Sequence, residues 1–520
     1  MKSKKAFFFL FAGILLILLL SGIQHILNNP PMSIHAWRQA DCLSISKNYS
    51  EHLNFFEPSI HNYISEGGRS GKTAGEFPIL YFFIGWIWSI FGESIAFYRL
   101  FGLIIYIIGI VYLKKTIFRL TKSHFWSVTV SLFLFCSPVL LYYSLSFLPN
   151  IYAFSLVLIG WYHLVSFLAD KSDRHLGFFF LFFLVAGLLK ITALISLIAL
   201  IGALLVYSLS KRKIEASFIK VWVGSLAIFG LIGLWFHWVE NYNTIHGGKF
   251  TFNSVWPFWE MPKESISRAI RFGKEIIYVQ MLNRTTWSII WVIFLVLIIS
   301  FRKIPAKVSG LIFLLVGIIL YSILWFNAFD GHDYYVINLM IFPVAIIIVF
   351  LRVFRKRLDL GPFQNSLKAT AMLFLVYNIL YVSTNMRVRF HDKLFNDRLT
   401  QTFFMSQYEQ DFWRGMEWSS HQIDHLPNMV NYNRSIGIEK TDLIIYLPDP
   451  SYNISLYLLD QKGWTSISNT LTKEGIQEKV DLGAKYLFIH HKHEFDHGYL
   501  RPFLSDKIGE FEGTEVFKLQ

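Results

Sequence analysis

Charge is what this sequence has least of. Only 16% of its 520 residues are Asp, Glu, Lys or Arg, where a soluble domain carries about 25%. With 54% hydrophobic residues and 51 Phe, an ordinary water-exposed surface is excluded. Cysteine is nearly absent. Cys42 and Cys136 are the two present, which rules out a disulfide framework. Cys136 also sits inside an apolar run, away from any pairing with Cys42. Internal repeats and low-complexity tracts are missing, which excludes a solenoid. Acidic residues number 35 against 48 basic ones, leaving a net charge of +13. That excess sits in short clusters between apolar runs, so it reads as membrane topology and not as a nucleic-acid surface.

The apolar runs are therefore the first positive signal. They predict a polytopic α-helical membrane protein with about 11 transmembrane helices. The expected spans cover about residues 6–27, 96–113, 125–146, 151–168, 176–190, 191–209, 218–238, 286–301, 308–326, 335–351 and 367–384. The first run is long and lacks a small-x-small cleavage site, so an uncleaved helix is expected over a signal peptide. Lys2, Lys4 and Lys5 set the N-terminus in the cytoplasm. Every second connection then carries a basic cluster, such as Lys114, Lys115, Arg119 and Lys122, or Lys211, Arg212 and Lys213. The alternation places a multi-pass chain in the cytoplasmic membrane.

Two stretches need separate treatment. FPILYFFIGWIWSIFG, Phe77 to Gly92, is short and aromatic. A crossing there would invert every later cluster, so a helix in the outer interface is expected. Lys190 interrupts a long apolar run, and a charge within lipid is costly. A break at the outer surface accommodates it. Farther along, KESISRAIRFGKEIIYVQ has the pattern of a membrane-surface helix. From Met386 the chain turns polar, and DLIIYLP and AKYLFIHH read as buried strands. The expected division is a membrane domain over 1–385, including an outer loop over 28–95, and a small extracytoplasmic α/β domain over 386–520.

The chemistry concentrates between Ser33 and Glu76. His35, Trp37, Arg38, Gln39, Asp41, His61, Arg69, Lys72 and Glu76 all fall there. Asp41 reads either as a solvated loop carboxylate paired with Arg38 or as a base. Glu76 stands before an interfacial helix, where the helix dipole favours an acid; it also suits a role in orienting an Arg or a sugar hydroxyl. Arg38, Arg69, Lys72 and Lys190 are candidates for a phosphate. Arg69 and Lys72 lie in SEGGRSGKTAGE, which reads equally as a solvated loop. It is no P-loop, because no strand precedes it and the spacing is wrong. FDGHDYYV offers His332, Asp333, Tyr334 and Tyr335 in a short outer loop, as cavity lining or as a solvated turn with interface tyrosines. Tyr142 and Tyr143 are expected in the interfacial aromatic belt. The HHKHEFDHG cluster lacks a ligand framework, so no metal site is assigned to it.

HAWRQAD, EFPILYFFIGWIWSIFG and SPVLLYYSLSFLPN together resemble bacterial members of the dolichyl-phosphate-mannose–protein mannosyltransferase-like family. These are glycosyltransferases of family 39 type with the GT-C fold, related to the enzyme that places aminoarabinose on lipid A. The resemblance covers about residues 1–390 and is most specific in the first 160. It implies transfer of a sugar from a polyprenyl-phosphate carrier to a protein, lipid or glycan acceptor on the outer face of the membrane. It implies Asp41 as catalytic base and Glu76 as its companion acid. His35, Arg38, Gln39, Arg69, Asn150, Lys190, His332, Asp333, Tyr334 and Tyr335 are then the expected substrate-binding set. The family's second acidic position is Asn150 here, in FLPN. No cofactor is assigned, although some relatives bind a divalent ion that Glu76 could approach. Alternative functions are a transporter or flippase for lipid-linked glycans and a non-catalytic binder of them. A flippase needs polar residues spread through its spans, whereas here they gather in outer loops.

Overall fold

A computed structural model describes residues 2–248, 255–300, 305–360, 364–391, 398–491 and 498–520. Among the described residues, seven helices are long and apolar enough to cross a membrane, or nine if two bent pairs each count as one span. The chain is thus a multi-pass helical membrane protein with a small sheet near its C-terminus. Each expected span falls on a helix, with local differences. The first helix, Lys2–Leu20, is shorter than expected. It stops before Gly22, whose φ of 69° no continuing helix allows. The span expected over 125–146 is two helices, His124–Phe135 and Pro138–Ser144, bent by 73°. Pro138 lacks an N–H and forces the residue before it out of helical geometry. Ser137, extended there, caps the second helix through its hydroxyl. The break at Lys190 occurs as expected. The helix Asp173–Leu189 ends one residue earlier, and Lys190 is extended.

The described chain forms two compact units, each discontinuous in sequence. One comprises Met1–Leu27, Ala96–Leu234 and Ser254–Phe412, and holds most of the apolar helices. The other comprises Asn28–Ile95, Trp235–Asn253 and Trp413–Gln520. Residues 28–95 therefore pack with the C-terminal sheet.

That sheet has five strands, β1 (Leu443–Leu447), β2 (Lys462–Trp464), β3 (Ala484–His490), β4 (Lys507–Phe511) and β5 (Thr514–Lys518), in the order β2-β1-β3-β5-β4. β1 pairs in parallel with both β2 and β3, and β5 runs antiparallel to β3 and β4. Both stretches read as strands are strands. Ile445, Leu447, Trp464, Leu487 and Phe517 are buried in one core. The free side of β2 is taken by the outer loop. Tyr63 donates its N–H to the Gly463 carbonyl at 2.8 Å, and Gly463 donates to that of His61 at 3.2 Å. The loop thus covers an edge that would otherwise offer unpaired backbone groups.

Within the same unit, helix Ala36–Glu51 lies against helix Ile79–Phe91. Gly85 permits the approach, since a Cβ there would stand 2.5 Å from the Tyr49 Cβ and 2.6 Å from the Ser46 carbonyl. Helix Ile79–Phe91 spans 13 residues, too few for a crossing of about 20.

Candidate active site

Helix Ala36–Glu51 is the element that carries Arg38, Gln39 and Asp41. Its start is shaped by Ser33 and His35, both at positive φ of 62° and 60°. Gln39 pins this turn by donating to the carbonyls of Met32 at 3.0 Å and Ile34 at 3.2 Å. Ser33 is held by its N–H to the Ser420 hydroxyl at 2.8 Å. His35, half-buried, occupies the position before the helix.

Asp41 is buried, at 4% exposure. The solvated half of its alternative reading is therefore corrected, while the pairing with Arg38 is retained at longer range. Arg38 spends its close contacts on Glu76, with Nη2 2.7 Å from both carboxylate oxygens. Arg38 Nη1 stands 3.8 Å from Asp41. Asp41 is met more closely by Asn453, whose Nδ2 donates to Oδ1 at 2.7 Å. Burial pushes the Asp41 carboxyl up to about 6, against the opposing pull of Arg38 and of the Asn453 N–H. Such a group is mostly ionised at neutral pH yet more basic than a solvated carboxylate.

Glu76 is set by backbone clamps on the two residues before it. Asn243 exchanges two bonds with Ala74, accepting its N–H at 2.8 Å and donating to its carbonyl at 2.9 Å. The Trp235 indole donates to the Gly75 carbonyl at 3.2 Å. Of the two readings of Glu76, the Arg-orienting one matches this geometry. A divalent ion does not fit here, because both Glu76 oxygens face a guanidinium that already supplies positive charge beside Asp41. Among the described residues no group of three His, Cys, Asp or Glu is placed to hold a metal. His490 stacks on His425, and His491 packs at a tilt against His490, at the end of β3. His493 and His497 lie outside the described residues.

Arg69 is exposed in the turn that follows Glu66, and Lys72 pairs with Glu66 at 3.4 Å. Neither is joined by a described contact to Asp41. The remaining expected residues belong to the other unit. Asp333 is fully buried, bonded to Arg389 at 2.9 Å and to the Tyr143 hydroxyl. Arg389 lies over the Tyr142 ring at 3.8 Å and donates to Gln280 at 3.1 Å. Tyr142 and Tyr143 are thus core partners of an ion pair, and their placement in a lipid-facing belt is corrected. Asn150 donates to the Tyr334 carbonyl at 3.2 Å. Tyr334 and Tyr335 stack at 4.7 Å, with His332 edge-on to both. Lys190 sits 5.5 Å from the Tyr335 ring. Arg268 binds Asp330 at 2.7 Å.

Sequence reasoning missed Asn453, Asn243 and Arg389. The two asparagines carry no charge and lie outside any charged cluster, so nothing local marks them. Arg389 ends an apolar helix, where it reads as a boundary charge.

No family model matches the chain, and no curated protein matches it either. Solved structures do. The chain is similar to ArnT from Cupriavidus metallidurans in the apo state, with TM-score 0.55 and 11% identity over 97% of this chain and 98% of that one. The same transferase bound to undecaprenyl phosphate gives TM-score 0.56 and 9% identity over 100% and 98%. The Archaeoglobus fulgidus oligosaccharyltransferase in the apo form gives 0.52 and 11% over 94% and 70%. The likeness extends over nearly the whole chain, and the protein has the GT-C-like fold of these structures.

Proposed function

We propose that this protein is a multi-pass membrane glycosyltransferase that moves a sugar from a polyprenyl-phosphate carrier to an acceptor at the outer face of the cytoplasmic membrane. Residues 1–385 form the membrane domain, and 386–520 stand outside. Asp41 is the general base toward the acceptor, and Arg38 faces the phosphate that leaves. Glu76 orients Arg38. His35, Gln39 and Arg69, from the same unit as Asp41, serve substrate binding, either directly or by shaping the walls around Asp41.

The observation that carries this reading is the state of Asp41. It is buried, lies beside a guanidinium held by a second carboxylate, and has its carboxyl pushed up to about 6. Sugar transfer from a lipid phosphate calls for those elements, a base for the acceptor hydroxyl and a cation for the leaving group. The similarity to a transferase solved with undecaprenyl phosphate supports the donor class.

The test is single-turnover transfer from a labelled polyprenyl-phosphate sugar in reconstituted vesicles. The sugar and acceptor are first identified by mass spectrometry of cell-envelope glycans and lipids with and without the gene. Asp41→Asn keeps the shape of the side chain and removes the proton acceptor. Transfer should fall by about 10²–10⁴-fold with donor binding retained. Transfer at the wild-type rate would remove Asp41 as base.

A further inference from the structure

The loop after β1 connects the small sheet to the candidate base. It runs from Pro448 to Asn453 and leads into the short helix Ile454–Leu458. Asp449 ties it together by accepting from the Ser451 N–H at 2.7 Å, the Ser455 N–H at 3.0 Å and the Ser455 hydroxyl. Asn453 at its end is fully buried. Its Oδ1 accepts from the backbone N–H groups of His61 at 3.1 Å and Asn62 at 3.2 Å, and from the Ser44 hydroxyl at 3.4 Å. Two backbone donors on the oxygen leave only one orientation for the carboxamide. The NH₂ must point the other way, and there it meets Asp41 Oδ1 at 2.7 Å.

The clamp is reinforced on all sides. Ser44 bonds the His61 ring at 2.7 Å and receives the His61 N–H at 2.9 Å. Asn62 donates to the Tyr452 carbonyl and the Thr465 hydroxyl, both at 2.9 Å. The side chain that touches Asp41 is thus set by three separate segments: the start of the 61–63 pairing, helix Ala36–Glu51 and the loop after β1. In sheets of parallel strands, ligand-contacting groups gather beyond the carboxyl ends of the strands, where connections leave in opposite directions. β1, flanked by β2 and β3, is such a place. Here the loop at its carboxyl end delivers a hydrogen-bond donor to a carboxylate on another segment of the same unit.

We infer that Asn453 is a positioning residue for the base Asp41. It holds one carboxylate oxygen by a fixed N–H and leaves the other to take the acceptor's proton. This inference rests on the reading of Asp41 as base. The small sheet then contributes directly to the catalytic constellation.

The charged and titratable groups around Asp41 are Arg38 and Cys42 on its own helix, Glu76 and Tyr81 from the adjoining segment, and Asp449 and Tyr452 from the loop after β1. Of these, Arg38 and the Asn453 N–H favour the ionised form of Asp41, while Glu76 and Asp449 oppose it. Removing the Asn453 donor must therefore raise the pH at which Asp41 ionises.

Asn453→Asp is the sharpest variant. It preserves size and an acceptor for the His61 and Asn62 N–H groups, and exchanges the donor for a second ionisable carboxyl facing Asp41. Two carboxyls then share one proton. The acid limb of the single-turnover pH profile should move up by about one pH unit or more, which lowers transfer about five-fold at pH 6 and much less at pH 8. Asn453→Ala removes the donor without adding charge, and should shift the limb in the same direction. It serves alone if the aspartate variant does not fold. Rescue of transfer at high pH is the signature, because a merely structural defect lowers the rate equally at every pH. An acid limb at the wild-type position in either folded variant overturns the inference. Wild-type transfer by Asp41→Asn is a different failure, and would remove the base assignment instead.

Discussion

Under the proposed function, replacing Glu76 with Gln should make transfer slower at neutral pH and relatively better in acid. The geometry gives the sign. Glu76 opposes ionisation of Asp41, and it also draws Arg38 away from it. Without that charge, Arg38 has Asp41 as its nearest anion, starting from 3.8 Å. Closing to a contact of about 2.8 Å gains roughly 1.5 kcal/mol at an effective dielectric of about 20. That corresponds to a fall of about one pH unit in the ionisation of Asp41, from about 6 toward about 5. A weaker base transfers more slowly, by roughly three-fold if the proton is half transferred in the transition state. The plateau at pH 8 should fall by about that factor. At pH 5 the variant should match or slightly exceed wild type, because more of its Asp41 is ionised. The assay is single-turnover transfer at saturating donor from pH 4.5 to 8.5, with protein integrity checked at each end. An acid limb that stays in place or moves upward refutes the electrostatic account. A plateau loss far beyond three-fold, with the limb unmoved, would assign Glu76 to the sugar itself.

Two further predictions concern the other unit. Asp333→Asn leaves the buried Arg389 without its carboxylate, and breaking such a pair costs about 3–5 kcal/mol; thermal unfolding in detergent should drop sharply, whereas an unchanged midpoint with lost donor affinity would make Asp333 a ligand to substrate. Asn150→Asp sets a carboxylate against the Tyr334 carbonyl that Asn150 now serves as donor, so it should cost about 1–3 kcal/mol in the same unfolding measurement; Asn150→Ala should reduce transfer far less than Asp41→Asn, and a larger loss would move the catalytic centre to Asn150.

The spans were legible because bilayer thickness demands long apolar runs whatever the tertiary packing. Lys190 announced a break for an equally local reason, whereas the bend before Pro138 was read over as one continuous span. The strands β1 and β3 stood out as short apolar runs in a polar region. The grouping of Asp41, Arg38 and Glu76 was visible because they are close in sequence and chemically conspicuous. Asn453 was not, since its meaning comes wholly from a contact made by folding. The same holds for Asp333, whose short polar loop suggested a cavity wall. Its partners Arg389 and Tyr143 come from distant helices, and no periodicity links them. The tyrosine pair was misassigned because an aromatic pair in an apolar run looks alike at a lipid interface and in a protein core.

The Asp41–Asn453 bond joins residues 412 positions apart. At roughly 5–20 residues per second, the ribosome takes roughly 20–80 seconds to travel from one to the other. Throughout that interval helix Ala36–Glu51 exists without its donor, and the β2 strand that residues 61–63 pair with has not been made. The proposed centre is thus unfinished on the nascent chain until the loop after β1 has been made.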